Sequence, residues 1–237
     1  MIRNVSLEEI SDGRLYSSND MVKADCGDCR GCSACCRGMG SSIVLDPLDV
    51  HRLVNGLGQS FQQLLQGKLE LNVEDGIILP NLRMAGEEEC CSFLNEEGRC
   101  SIHGFRPGIC RLFPLGRFYE EEKQSFRYFL QVHECRNQNR TKVKVRKWID
   151  TPELARYERF VSDWHYFLKS LQQLLAGADF DEGKAKNISL YLLNEFYMKP
   201  FVSGTGEGEG SPVSGDAGFY EEFDVRLAAA KRVCEIG

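Results

Sequence analysis

The sequence predicts an α+β protein, a small cysteine-rich metal-binding domain with irregular ligand loops followed by a helical C-terminal extension. Three observations lead there. Eleven cysteines lie mostly in two short stretches broken by glycine, aspartate and proline. Around them, short apolar runs bounded by turn residues read as strands. Beyond residue 150, apolar residues recur at i, i+3 and i+4 spacing, the period of an amphipathic helix.

In chain order, residues 1–25 form an N-terminal segment. Residues 26–36 hold five cysteines in eleven positions, interleaved with Gly27, Asp28 and Gly31, which suits a ligand loop rather than a helix or strand. Ser42-Ile43-Val44-Leu45 is a strand-like run. Asp46-Pro47 reads as an N-cap followed by proline in the first turn, opening a helix that reaches about Asn55 and is stopped by Gly56 and Gly58. A second short helix is expected over Phe61–Leu65, with Gly67 as its stop. Strands over Glu70–Val73 and Ile77–Met84 flank a turn at Glu74-Asp75-Gly76.

From Cys90 to Pro114, cysteine, glycine and proline dominate, and a second ligand-bearing loop region is expected. Leu115–Tyr119 and Phe126–Val132 flank a charged turn and suggest a β-hairpin. Arg140 to Lys147 reads as a solvated basic strand or linker. Thr151-Pro152-Glu153 opens a long amphipathic helix carrying Leu154, Tyr157, Phe160, Val161, Trp164, Phe167, Leu168 and Leu171, ended by Gly177. A further helix spans about Gly183 to Lys199 and stops at Pro200. Residues 203–218 read as a flexible acidic linker, and Phe219–Cys234 as one more helix. The expected domains are therefore 26–148 for metal binding, 149–202 for the helical extension, 203–218 for the linker and 219–237 for the last helix.

Composition narrows the function classes. At 237 residues and 42% hydrophobic, the chain can bury a core without disulfides, so small-domain stapling does not explain its cysteines. The first residues carry no apolar h-region, and no run approaches the roughly 18 apolar residues of a membrane span. A cytoplasmic, reducing location is expected, where dense cysteines favour metal over disulfides. A net charge of −6 gives no support to nucleic-acid binding. Gly204, Gly206, Gly208 and Gly210 superficially resemble a phosphate loop, but no strand precedes them and Glu207 and Glu209 would repel phosphate.

The first cluster reads Cys26-x2-Cys29-x2-Cys32-x2-Cys35-Cys36. A two-residue gap lets a short loop turn both thiolates to one centre. Three thiolates at this spacing are how bacterial-type ferredoxin loops supply most ligands of a [4Fe–4S] cluster. The same thiolates suit tetrahedral zinc, so spacing alone leaves the metal open. Side chains of vicinal Cys35 and Cys36 point apart in extended backbone, so the two can serve different centres. The second cluster holds Cys90, Cys91, Cys100, Cys110 and Cys135, with gaps of eight, nine and twenty-four residues after Cys91, too irregular for a zinc finger.

Cys29-x2-Cys32-x2-Cys35-Cys36, then Cys91-x-Phe93-Leu94, Cys100-x-Ile102-His103 and Arg106-Pro107-x2-Cys110-Arg111-x-Phe113-Pro114, together resemble the YkgJ-type cysteine-cluster family. The resemblance covers about residues 26–135 and implies a zinc- or iron-chelating domain. It implies eight ligands: Cys29, Cys32, Cys35, Cys36, Cys91, Cys100, Cys110 and Cys135. Cys26, Cys90 and Cys234 are extra, each a spare ligand, a redox partner or inert. His103 stands where the family more usually has tyrosine, and is an accessory ligand candidate. Arg106 and Arg111 flank Cys110. They either offset thiolate charge at the cofactor or pair with carboxylates such as Glu87 to Glu89.

Two roles follow. One is a non-catalytic metal-binding, redox or electron-transfer module, with an iron–sulfur cluster preferred over zinc because three close thiolates need only a remote fourth. The other is a protein-modifying enzyme, since flagellin lysine N-methylases resemble the same cysteine-cluster domain. A protein partner or protein substrate suits either role. No S-adenosylmethionine-type glycine loop follows a strand, the Cys-x3-Cys-x2-Cys radical signature is absent, and four scattered histidines offer no catalytic arrangement.

Overall fold

A computed structural model describes residues 6–27, 32–137, 139–177, 182–201 and 216–236. In chain order the elements are α1 (Leu7–Ile10), β1 (Met21–Asp25), α2 (Pro47–Leu57), α3 (Phe61–Leu64), β2 (Leu69–Glu74), β3 (Ile77–Leu82), β4 (Met84–Ala85) and β5 (Cys90–Cys91). They continue with α4 (Gly108–Leu112), β6 (Leu115–Glu120), β7 (Ser125–Leu130), β8 (Thr141–Lys144), α5 (Val145–Ile149), α6 (Leu154–Leu175), α7 (Glu182–Leu193) and α8 (Asp216–Val233). Single 3₁₀ turns cover Ala34–Cys36, His103–Phe105 and Glu121–Lys123. The strands form small antiparallel two-stranded sheets, β1–β8, β2–β3, β4–β5 and β6–β7, and the fold is α+β as expected.

The chain divides into two compact units, Met1–Gly40 with Met84–Ser162, and Ser41–Arg83 with Asp163–Gly237. In the second, the predicted cap of α2 is a reciprocal capping box: the Asp49 amide donates to Asp46 at 2.8 Å and the Asp46 amide to Asp49 at 3.2 Å. Pro47 takes the first helical position, and Gly58 ends the helix in the left-handed conformation at φ 63°. The β2–β3 register runs from Leu69↔Leu82 to Glu74↔Ile77. Asp75 (φ 48°) and Gly76 (φ 88°) make its two-residue turn, and positive φ at both positions is what a twisted hairpin needs. The unit's core includes Leu48, Leu53, Leu64, Leu69, Ile77, Phe167, Leu171 and Leu192. An aromatic chain joins Trp164 to Phe196 (4.9 Å between centroids) and Phe196 to Phe223 (6.0 Å).

The first unit buries Val22 and Ala24 of β1, Phe93, Ile102, Leu112, Leu115, Tyr128 and Val145. The predicted hairpin is β6–β7, in register from Leu115↔Leu130 to Glu120↔Ser125.

Four expectations change. Ser42–Leu45 does not form a strand, although Leu45 and Ile43 exchange backbone hydrogen bonds with Pro80 and Leu82 beside β3. Cys90-Cys91 lies in the β4–β5 hairpin rather than in a loop. The basic stretch is neither linker nor one strand: it is β8 up to Lys144 and α5 from Val145. Asp216 to Gly218, read as linker, belong to α8. The remaining linker, 203–215, with its four glycines, lies outside the described residues. No described helix is long and apolar enough to cross a membrane.

Candidate metal centre

Three pieces of backbone bring distant cysteines of the first unit together. The 3₁₀ turn at Ala34–Cys36 is closed by the Cys36 amide donating to Ser33 at 3.0 Å. Directly after it, Arg37 bridges to Cys90, and the Gly38 amide donates to the Glu89 carbonyl at 3.0 Å. Since Cys90 pairs with Ala85 and Cys91 with Met84, this bridge sets the Cys35-Cys36 turn beside the β4–β5 hairpin. From Cys91 the chain folds back on itself: Leu94 bridges Cys100, and the Ser101 amide donates to the Phe93 carbonyl at 2.9 Å. Cys36, Cys91 and Cys100 thus come from three segments into one neighbourhood.

The electrostatics agree. The Cys36 thiol donates to Cys35, which pulls the Cys35 pKa down to about 7 against burial, helped by the Arg106 guanidinium. The same hydrogen bond pushes Cys36 far up, as do its burial and the charges of Cys35, Cys91 and Cys100. Burial raises Cys100, with Arg106 opposing it. The two thiols therefore titrate as a pair, which gives up its first proton more readily than an isolated thiol does.

A second neighbourhood forms where β1 and β8 meet. Their register is Met21↔Lys144, Val22↔Val143 and Asp25↔Thr141. Cys26 follows β1 immediately, and the Asn137 side-chain amide donates to its carbonyl at 3.3 Å. Cys26, Cys32, Cys35, Phe113, Pro114 and Cys135 line one cleft, whose empty space including its mouth is about 420 Å³. Cys135 is nearly buried, which raises its pKa, and the charges of Cys26 and Cys32 push it further while Arg140 opposes them. Cys35 faces both neighbourhoods.

The other expected residues are placed as follows. Cys110 sits on α4, half-buried, one turn before the Phe113 and Pro114 of the cleft. Arg106 contacts the His103 ring nitrogen and keeps a buried Nε without a hydrogen-bond acceptor. Arg111 donates to the carbonyls of Gly104 (2.7 Å) and Asp150 (3.0 Å). The cation that pairs with the acidic Glu87 to Glu89 run is Arg37, bonded to the Glu88 carboxylate and, at 2.9 Å, to the Cys90 sulfur. Cys234 is buried at the end of α8, in the second unit. Cys29 lies outside the described residues. Sequence reasoning missed Arg140, whose Nη1 is buried without an acceptor beside Cys135. Its only local signal is that it follows Cys135 by five residues.

Among the described residues, no three Cys, His, Asp or Glu side chains converge tightly enough to hold one ion as they stand. The donor chemistry nevertheless fits a thiophilic metal. None of the described cysteines is in a disulfide, and thiolate sulfur selects zinc and iron–sulfur centres. The unsatisfied guanidinium nitrogens of Arg106 and Arg140 would balance the negative charge of tetrathiolate ligation and offer donors to bound sulfur.

No curated protein and no solved structure matches the chain. Residues 28–143 match the model of a family described as "CxxCxxCC: Putative zinc- or iron-chelating domain". The chain carries a domain of that CxxCxxCC family, spanning 28–143.

Proposed function

We propose that this zinc- or iron-chelating domain binds an iron–sulfur cluster of the [4Fe–4S] type and serves in electron transfer or metal handling. The observation that carries the reading is that Cys35, Cys36, Cys91 and Cys100, from three separate segments, lie near enough for the charges of Cys35, Cys91 and Cys100 to act on Cys36. The Arg106 guanidinium is close to Cys35 and Cys100. Four thiolates are one complete ligand set for such a cluster. Cys32 and Cys135, with Cys29 and Cys110, then supply the remaining thiols of the eight, for a second cluster or a structural zinc. A bound cluster would contribute a one-electron couple. The chain's own part is to hold the thiolates, exclude water around nearly buried Cys91 and Cys135, and set the local positive charge.

Zinc is the competing reading, since four thiolates hold it tetrahedrally as well. The deciding experiment is anaerobic purification of the full chain with iron, sulfide and zinc measured per protein. Iron and sulfide in equal amount, with a brown colour bleached by dithionite, are the expected result. Zinc alone, persisting after anaerobic reconstitution with iron and sulfide, overturns the iron–sulfur assignment.

A further inference from the structure

Cys26 lies outside the matched segment 28–143 and outside the eight cysteines of the motif. The fold nevertheless delivers it to a defined place. β1 ends at Asp25, paired with Thr141 of β8, so Cys26 stands next to the residues leading into β8. Its backbone is held on both sides. The Asp25 carboxylate accepts from the Gly27 amide at 2.9 Å and from the Thr141 hydroxyl at 3.4 Å, and Asn137 donates to the Cys26 carbonyl. Gly27, at φ 70°, turns the chain sharply there, a conformation that suits glycine. The result is a fourth described thiol in the cleft that Cys32, Cys35 and Cys135 line, with the Arg140 guanidinium close to Cys135.

We infer that Cys26 is a ninth ligand thiol, forming with Cys32 and Cys135 a site for a thiophilic metal ion separate from the Cys36, Cys91 and Cys100 group. The inference rests on the metal-binding reading above and adds to it a ligand placed directly after β1. Three thiolates on one cleft are the usual protein contribution to a zinc site that keeps one position for another ligand. Ligation needs each thiol to lose its proton, so no oxidant or reductant takes part.

The test is a footprint on the wild-type chain. The reduced, metal-free protein is alkylated with iodoacetamide, with and without zinc ion alone, and each cysteine is read by peptide mass spectrometry. A metal-bound thiolate is not free to attack, so zinc should slow alkylation of Cys26 roughly tenfold or more, in parallel with Cys32 and Cys135. Protection of Cys32 and Cys135 with Cys26 unprotected overturns the inference and leaves the metal-binding reading standing. Protection of no cysteine also overturns the inference, and the iron–sulfur reading then stands or falls on its own iron and sulfide analysis. Cys26→Ser supplies the second measurement: zinc affinity at this site should fall by more than the roughly tenfold to hundredfold cost of losing an outer partner. An unchanged affinity also overturns the inference.

Discussion

Arg52 donates a 2.6 Å hydrogen bond to the Asp216 carboxylate across 164 positions of sequence, and the two side chains are only 1% and 3% exposed. The pair joins α2 to the first residue of α8, within the second unit. Removing one partner leaves the other as an uncompensated buried charge. Arg52→Leu or Asp216→Ala should therefore destabilise the protein by about 3–5 kcal/mol. The double replacement Arg52→Met with Asp216→Leu should recover most of that loss, because the remaining charge goes too. Urea unfolding of the three variants checks both statements, and a double variant no better than the singles refutes the second.

Metal uptake should depend on Cys36 and Cys91 together. Cys36→Ser and Cys91→Ser are each expected to lose the metal held by that group, with the double variant no worse than either single one. Non-additivity of this kind marks ligands of one centre. Metal analysis of the purified variants provides the readout, and additive partial losses would place the two thiols at different centres.

Cys35 should be the reactive thiol of the reduced, metal-free protein near neutral pH. Its pKa lies at about 7, held down first by the Cys36 hydrogen bond, against an ordinary thiol value of 9.0. A lowered pKa means that the thiolate fraction, and with it the alkylation rate, rises as pH passes upward through about 7. Mass-resolved alkylation against pH should give that midpoint, and a midpoint near 9.0 would sink the assignment. Cys36→Ala, which removes the donor, should move the midpoint upward by more than Arg106→Gln does, because the hydrogen bond outranks the Arg106 charge.

Gly116 faces Phe129 directly across the β6–β7 ladder, and a Cβ at 116 would overlap the Phe129 ring. Gly116→Ala should cost about 1–3 kcal/mol through the forced shift of that ring. Gly104→Ala, where a Cβ meets nothing within 4 Å, should stay within about 0.5 kcal/mol of wild type. Thermal melts of the two variants make the comparison, and equal losses would rule out the steric account.

What could be read in the sequence was whatever local chemistry dictates. Asp46-Pro47 announced its helix because capping involves residues within four positions of each other, and Asp75-Gly76 announced its turn because few residues accept positive φ. The long helix α6 showed its period over many turns. The β1–β8 pairing was not legible, because Met21 and Lys144 lie far apart and neither strand alternates strongly enough to announce a partner. Ser42–Leu45 misled by composition: its β-branched and apolar residues earn a place beside β3, but only a single bridge, Val44↔Asn81, forms there. At the candidate site, the spacing identified cysteines but not how they associate. The vicinal pair is expected to be able to serve different centres; in the fold the two thiols are hydrogen-bonded to each other, and Cys35 also lines the β1–β8 cleft. Arg140 escaped notice because a basic residue in a basic run carries no signal until the fold sets it near Cys135.

The chain leaves the first unit after Gly40 and re-enters at Met84, and the bridge from Arg37 to Cys90 fastens the two ends of that excursion. The stretch between the two halves of the cysteine motif is thus a parenthesis in the site's text. Its length is set by what residues 41–83 build, not by what the thiols require. Doubling a closed loop costs only about 0.6 kcal/mol in entropy. Related chains can therefore carry a longer or shorter parenthesis and keep the same site, and a search that insists on a fixed Cys36-to-Cys91 spacing will overlook them.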